Sequence, residues 1–581
     1  MLSEGYMFSL MLALCSATAS PALDFGAVDA PCVATNAPVL TWSTRVDDSG
    51  VFCYRVVVSN GADTGFVCLA NEPFPGLHVY DNTTFLLAPG TTYNYVVEET
   101  QLEAAPGKPP VPSPPPSWVS ANGSFCTVPS LPAPLDEVRA SFLGNFSTIY
   151  SNGFASILSR VQPSGFLPTS VSGGYGGARN MFVRDTCAML VALMEADGCG
   201  TCLSTVRAVL NFTLSSIEQF NLTYAPHVMT SDATFSRIVS MDVADQTDGT
   251  MHLALAFSAF VDAARDAAFA ARFYLLVARL LNHYVAPGAS LAAAPGVPYL
   301  NTSLQLLLNP NLEHSRLSVY WTSYDALTNA FACEALRGMA RVAASVGDAA
   351  QAGAWQSVRA TLLAGLAGSL ASPAPESLGA PVYAELIGEP HFWWPGAGNA
   401  WPPGPNRAWS WPPAPLWGLS FVNLGVAAAF FRVLGRAGDD AGAAGLDEAR
   451  FFATRDAYRR HGSFLWLTDD ARFSALVSTT HINASTHSDG DRAVIVKGLG
   501  WELAWAARRS DWLRLLTLSR WLGYAAAGNM SLPAESYNYD CMRQHGKDCY
   551  GDPGNGEQVG WFAWGAAVAA AAVERATAAQ N

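Results

Sequence analysis

This sequence predicts a mainly α fold, six α-hairpins closed into an (α/α)6 barrel and preceded by a small β-sandwich. Three observations carry that prediction. β-strand cues are confined to about the first 130 residues. Beyond them, amphipathic helices alternate strictly with helices that are apolar on most faces, six of each. Charged and amide side chains recur just ahead of the apolar helices, so a ring of such helices gathers them at one rim.

Composition sets the bounds. A chain of 581 residues, 50% of them hydrophobic, can bury one large core and a smaller second domain. Its net charge of −14 and pI near 5.1 argue against a nucleic-acid partner. Residues 8–19, FSLMLALCSATA, form an apolar run ending in Ala-Thr-Ala. The run is too short to span a bilayer, so residues 1–19 read as a signal peptide cleaved before Ser20. The preceding residues hold Glu4 and no Lys or Arg, which leaves Met7 as an alternative start. Eight Asn-x-Ser/Thr sequons, at Asn82, Asn122, Asn145, Asn211, Asn221, Asn301, Asn483 and Asn529, favour a secreted or lumenal glycoprotein. No later segment is expected to span a membrane.

Ten of the 11 cysteines remain after Cys15 leaves with the signal. Cys53 and Cys68 flank a hairpin, Cys32 and Cys126 bracket the first domain, and Cys541 and Cys549 close a small loop; these three pairs are the expected bridges. Cys199-Gly-Thr-Cys202 lacks a second ligand pair, so it reads as a local disulfide or two plain thiols. Cys187 and Cys333 fall inside apolar helices and are expected as buried free thiols.

Residues 20–128 form the β-sandwich, with strands expected at 39–43, 51–58, 65–69, 84–87, 93–98 and 118–128. The order of Trp42, Tyr54-Arg-Val-Val-Val and Leu87-Ala-Pro-Gly-Thr-Thr-Tyr-Asn-Tyr resembles a fibronectin-like module. Such a module is a spacer or a sugar-binding platform. Its insert Pro106 to Pro116 is a proline-rich surface loop. Residues 129–135 make the linker, and 136–581 the barrel. Outer helices are expected at 136–161, 203–221, 267–285, 350–370, 446–463 and 511–527. Inner helices are expected at 184–196, 248–262, 323–346, 419–434, 496–508 and 557–576.

The polar clusters follow the inner helices. Arg184 and Asp185 open the first; Asp242, Asp245, Gln246 and Asp248 lead into the second. A polar loop at 311–315 with Glu313 and His314, then Arg316, Trp321, Tyr324 and Asp325, leads into the third. Trp393, Trp394, Trp401, Trp409, Trp411 and Trp417 precede the fourth, and His487, Asp489, Asp491, Arg492 and Lys497 the fifth. Glu535, Asp552, Asn555, Glu557 and Gln558 mark the sixth. Aromatic faces stack on the C–H faces of a pyranose, while carboxylates and guanidinium groups hold its hydroxyls. Glycoside hydrolysis needs two carboxyl groups flanking one bond. For Asp185, Asp248 and Asp325 taken singly, a helix N-cap is an equal reading. The spacing of Asp242, Asp245 and Asp248 also suits capping better than calcium. No His-x-x-x-His or Cys/His cluster suggests zinc, and neither metal nor cofactor is expected.

From about residue 140 to the end, the chain resembles the six-hairpin glycosidases. Phe182-Val-Arg-Asp-Thr is similar to the arginine–aspartate pair that opens the first inner helix of glucoamylases, which implies that Arg184 and Asp185 hold the terminal sugar. Asn311-Leu-Glu-His-Ser and Tyr324-Asp-Ala-Leu-Thr-Asn-Ala resemble the acid-bearing segment and third inner helix of trehalases and processing α-glucosidases. Those families carry an Asp after Gly-Trp or Gly-Met; here Glu313 takes that place as general acid. Asp552-Pro-Gly-Asn-Gly-Glu-Gln-Val-Gly-Trp-Phe-Ala-Trp resembles the C-terminal trehalase signature, which makes Glu557 the base. The resemblance implies an exo-acting, inverting hydrolase of an α-glucoside, α-mannoside or α-L-rhamnoside. Asp248, His314, Arg316, Trp321, Asp325, Trp393, Trp394 and Gln558 would bind the sugar. The rival readings are a polysaccharide lyase or sugar epimerase using His252, His314, His391 or His487, and a barrel that only binds glycans.

Overall fold

A computed structural model describes residues 39–43, 51–59, 67–69, 77–81, 92–102, 118–126, 135–171, 178–196, 202–292, 296–314, 319–371, 383, 386–388, 432–433, 445–460, 465–467, 476–479, 492–512, 515–516, 518, 534–538, 550–553 and 556–580. The chain divides into two units, Met1–Ser130 and Leu131–Asn581.

In the first unit the strands are β1 (Val39–Ser43), β2 (Val51–Val58), β3 (Val67–Leu69), β4 (Leu77–Asp81), β5 (Thr92–Leu102) and β6 (Trp118–Cys126). β1 pairs with β4, and the other four form an antiparallel sheet in the order β3-β2-β5-β6. Tyr93 and Tyr95 are buried while Asn94 between them is exposed, the period of two of a strand with one face covered. Cys53 stands opposite Cys68 in the β2–β3 register. The strand expected at 84–87 lies outside the described residues, and β4 was not anticipated.

In the second unit the helices are α1 (Leu135–Arg160), α2 (Val183–Ala196), α3 (Leu203–Gln219), α4 (Thr247–Ala264), α5 (Ala267–Val285), α6 (Ala326–Ser345), α7 (Ala349–Gly368), α8 (Glu448–Arg460), α9 (Val496–Arg508) and α10 (Gly556–Gln580). The two predicted helix types are both present. α5 buries Phe269, Phe273, Leu276, Leu280 and Tyr284 along one stripe and leaves Leu275 in water. α4 is buried without interruption from Thr247 to Ser258, so it lies inside a layer of helices.

The inner helices pack in the succession α9, α10, α2, α4, α6. α1 lies on α10, α3 and α5 on α4, and α7 on α6, as the outer layer. This is the helix-on-helix ring of an (α/α)6 barrel. The expected inner helix at 419–434 is described only at Arg432 and Val433, and Arg432 ties α2 to α6. Its guanidinium bonds Glu195 of α2 at 2.7 and 3.0 Å and also Glu334 of α6. The expected outer helix at 511–527 is described only in fragments. At the α9–α10 crossing, a Cβ on Gly565 would stand 1.9 Å from the Gly500 carbonyl oxygen, so only glycine admits that approach.

Short antiparallel sheets recur beside the inner helices. β7 (Asn180–Phe182), β8 (Val228–Ser231) and β9 (Ile238–Asp242) form one, and β10 (Leu300–Asn301) pairs with β11 (Leu306–Leu307). A five-stranded sheet gathers segments between Leu465 and Pro553. Two corrections concern this rim. The third inner helix begins at Ala326, not 323, and the expected polar loop at 311–315 is largely strand. β12 (Asn309–His314) pairs antiparallel with β13 (Val319–Asp325), with Glu313 opposite Tyr320. The run Val319-Tyr-Trp-Thr-Ser-Tyr is β-branched and aromatic, which suits a pleated strand, and Asp325 then caps the helix.

Candidate active site

Local sequence sets the site at the N-termini of the inner helices. Arg184 and Asp185 stand in the first turn of α2, Asp248 in the first turn of α4, and Glu557 and Gln558 in the first turn of α10. Carboxylates are favoured there by the unpaired N–H groups of a helix start. Packing then brings the three starts together. Arg184 Nη1 lies 3.2 Å from Asp248 Oδ2, and Arg184 Nε lies 3.6 Å from Asp185 Oδ1 and 3.8 Å from Glu557 Oε2. These side chains are 9, 0, 8 and 4% exposed, in the order Arg184, Asp248, Asp185, Glu557. One buried cation therefore serves three carboxylates. Such a cluster is costly to desolvate, and the mutual attraction of cation and carboxylates offsets that cost. Gln558 is fully buried on the same turn as Glu557.

Asp325 ends β13 and caps α6: its Oδ1 accepts from the Thr328 amide at 2.6 Å. Its Oδ2 is buried without a hydrogen-bond partner. Burial first, and the neighbouring Asp248 charge second among the raising effects, push its pKa up to about 7. Asp325 thus carries a proton over most of the acidic range.

An imidazole outside the predicted sugar-binding set adjoins this cluster. His252 lies one turn after Asp248, and its Nδ1 is 2.8 Å from the Asp248 backbone oxygen. A carbonyl only accepts, so Nδ1 carries the hydrogen and Nε2 the lone pair. Nε2 is buried and has no hydrogen-bond partner among the described residues. Burial lowers the His252 pKa to about 4, against the pull of Glu557 and Asp248, so the ring is neutral near pH 7. Its face stacks on Phe331 at 4.0 Å. The i, i+4 spacing to Asp248 was visible in the sequence; the stacking partner was not.

A second polar group secures the hairpin that carries Glu313. Asn309 is fully buried; its Oδ1 accepts from Thr247 N at 3.3 Å and its Nδ2 donates to Thr328 Oγ1 at 3.1 Å. Thr247 Oγ1 donates to the Leu308 carbonyl at 2.8 Å. Asn329 closes the group by accepting from Leu307 N at 2.8 Å and donating to the Leu307 carbonyl at 3.0 Å. The starts of α4, α6 and β12 are thereby joined. Nothing in the spacing of these Asn and Thr residues announced it.

The three aspartates spaced by three go to three different partners. Asp242 takes His227 at 3.2 Å near the surface, and Asp248 takes Arg184. Asp245 accepts from Tyr284 at 2.8 Å and from Tyr299 behind the start of α4. Glu313, His314 and Trp321 lie on β12 and β13, with side chains outside the described residues. Arg316, Trp393 and Trp394 are outside them altogether. Cys187 and Cys333 are buried free thiols. Cys202 is disulfide-bonded, with its partner outside the described residues. Side chains of the other expected pairs also lie outside them.

No protein-family model matches the chain, and no curated protein matches it by sequence. Among solved structures, it is similar to a Streptococcus pneumoniae metal-independent α-mannosidase held in a non-productive complex with α-1,6-mannobiose. That likeness has 13% identity and a TM-score of 0.48, covering 76% of this chain and 96% of the other. A D-mannose isomerase matches at 10% identity and a TM-score of 0.45, over 77% of this chain and all of the other. The GH63 mannosylglycerate hydrolase of Thermus thermophilus, in complex with glucose, matches at 13% identity and a TM-score of 0.41, over 73% and 99%.

Proposed function

We propose that this chain is a secreted, exo-acting glycoside hydrolase that removes a terminal α-glucoside, α-mannoside or α-L-rhamnoside with inversion. The observation that carries the reading is the Arg184–Asp185–Asp248–Glu557 cluster, assembled from the starts of three inner helices. Glu557 is the general base: Arg184 beside it favours its ionised form, as a water-activating carboxylate requires. Glu313, on the strand rooted at Asn309, is the general acid that protonates the leaving oxygen. Inversion requires the two carboxyls about 6.5–9.5 Å apart, with room for a water. Arg184, Asp185 and Asp248 hold the sugar hydroxyls, with His314, Arg316, Trp321, Asp325, Trp393, Trp394 and Gln558 around them. The sequons and the apolar run at 8–19 support passage through the secretory route.

The test is turnover on 4-nitrophenyl α-D-glucoside, α-D-mannoside and α-L-rhamnoside, with the anomer of the first product read by proton NMR. One substrate should be cleaved with inversion, and Glu557→Gln should lose at least about 100-fold in kcat. Wild-type turnover by a folded Glu557→Gln would remove Glu557 as base. A second reading, a sugar isomerase or epimerase, is favoured by one observation: the neutral His252 imidazole with an unbonded Nε2 beside Asp248 and Glu557. Exchange of solvent deuterium into free mannose or glucose, without glycoside cleavage, would select it.

A further inference from the structure

Thr169 lies in the segment between α1 and α2 and is itself buried. Three of its polar atoms are engaged, two with β7 just ahead of α2 and one with the start of α10. Its hydroxyl oxygen accepts from Phe182 N at 2.7 Å, two residues before Arg184. Its carbonyl accepts from Gly556 N at 2.9 Å, the residue before Glu557. Its amide donates to the Asn180 carbonyl at 3.1 Å. The same carbonyl also accepts from Arg160 Nη1 of α1 at 2.9 Å. A Cβ on Gly556 would meet Met189 Sδ at 1.9 Å, so α10 starts hard against α2 at this point.

We infer that Thr169 is a positioning residue that sets the spacing between Arg184 and Glu557, and so the placement of the base. This rests on the reading of Glu557 as base. The segment Phe182–Arg184 is held by the hydroxyl, and the segment Gly556–Glu557 by the carbonyl, of one residue. The Arg184–Glu557 gap of 3.8 Å is therefore spanned by a short path of two hydrogen bonds through one residue. A base displaced by about 1 Å can cost about 100-fold in rate.

The experiment uses the full chain. Thr169→Val keeps the shape and both backbone bonds but removes the acceptor for Phe182 N. Thr169→Ser keeps the acceptor. On the 4-nitrophenyl glycoside that the wild type cleaves, Thr169→Val should lower kcat about 10- to 100-fold with KM changed less than about threefold, and Thr169→Ser should restore it. The acidic limb of the kcat/KM profile should also move upward in Thr169→Val, because a carboxylate further from its cation holds its proton to higher pH. Among the described residues, the charged and titratable groups tied to that base are Arg184 and Asp185 on α2 and Asp248 and His252 on α4. A merely structural threonine would lower thermal stability and leave the limb in place.

If Thr169→Val does not fold, Thr169→Ser and Thr169→Cys carry the test, since the thiol is a weaker acceptor of similar size; the cysteine variant should then show the shifted limb and the serine variant should not. If Glu557→Gln abolishes turnover but the valine or cysteine variant keeps the wild-type kcat and limb, the inference is overturned and the base stands. If Glu557→Gln keeps turnover, or the wild type cleaves none of the three glycosides, the reading beneath falls and the inference with it.

Discussion

Arg184 Nη1 stands 3.2 Å from Asp248 Oδ2, although 64 residues separate them and almost no water reaches either side chain. The pair ties the first inner helix to the second at the rim. Arg184 also faces Asp185 and Glu557, so its removal would take one cation away from three buried carboxylates. Arg184→Met should therefore destabilise the barrel by about 3–5 kcal/mol, the usual cost of breaking a buried pair on one side. Arg184→Lys should lose less, keeping the charge but not the fork that addresses several oxygens. Urea unfolding measures both, and a loss below about 1 kcal/mol for Arg184→Met would show that the helices are held by packing alone.

A second buried cation ties α2 to α6. Arg432 bonds Glu195 and Glu334, and its guanidinium also lies over the rings of Phe331 at 5.8 Å and Trp561 at 5.4 Å. Arg432→Met should cost about 3–5 kcal/mol, with part of it recovered in the triple variant that also carries Glu195→Gln and Glu334→Gln. Recovery is expected because the amides remove the charge that Arg432 had balanced, and it should be partial because Glu334 also pairs with Arg337 at 2.8 Å. No recovery in urea unfolding would assign the loss to packing against Phe331 and Trp561.

Asp325 makes stability depend on pH. Its folded pKa, about 7, is raised from the ordinary aspartate value, so between about pH 4 and about pH 7 the folded state binds more protons than the unfolded one. Stability from this group is therefore full at low pH and is lost as pH rises through that window. His252 works the other way between about pH 4 and its unfolded value near 6.5, so a difference between variants is needed to isolate Asp325. Asp325→Asn keeps an N-cap acceptor for Thr328 N and cannot ionise. The variant should gain on wild type by a few kcal/mol between pH 4 and pH 8, on the order of 1.4 per pKa unit. Parallel stability curves for the two proteins across that range would sink the idea.

Much of the helical framework was legible because helix periodicity is written into neighbouring residues. α5 at Ala267–Val285 and α9 at Val496–Arg508 carry the expected bounds, and Cys187 and Cys333 are buried where apolar helices placed them. The β12–β13 hairpin was missed because its polar residues, Asn309 to His314, look like a loop until they pair with Val319–Asp325. The rim sheets escaped because their strands are only two to five residues long, too short to display a period of two.

The sequence by itself determined the mainly helical class, the alternation of inner and outer helices, and the gathering of polar residues at inner-helix starts. Those features depend on a period of 3.6 and on the groups left unpaired at a helix end, both local. Tertiary structure alone decided which partner each polar group took. Asp242, Asp245 and Asp248 are equivalent by spacing, yet one meets a histidine, one two tyrosines and one Arg184. Thr169 and Arg432 joined their networks without any local signal. Partner choice follows the register in which helices far apart in the chain pack side by side, and that register is a property of the closed ring.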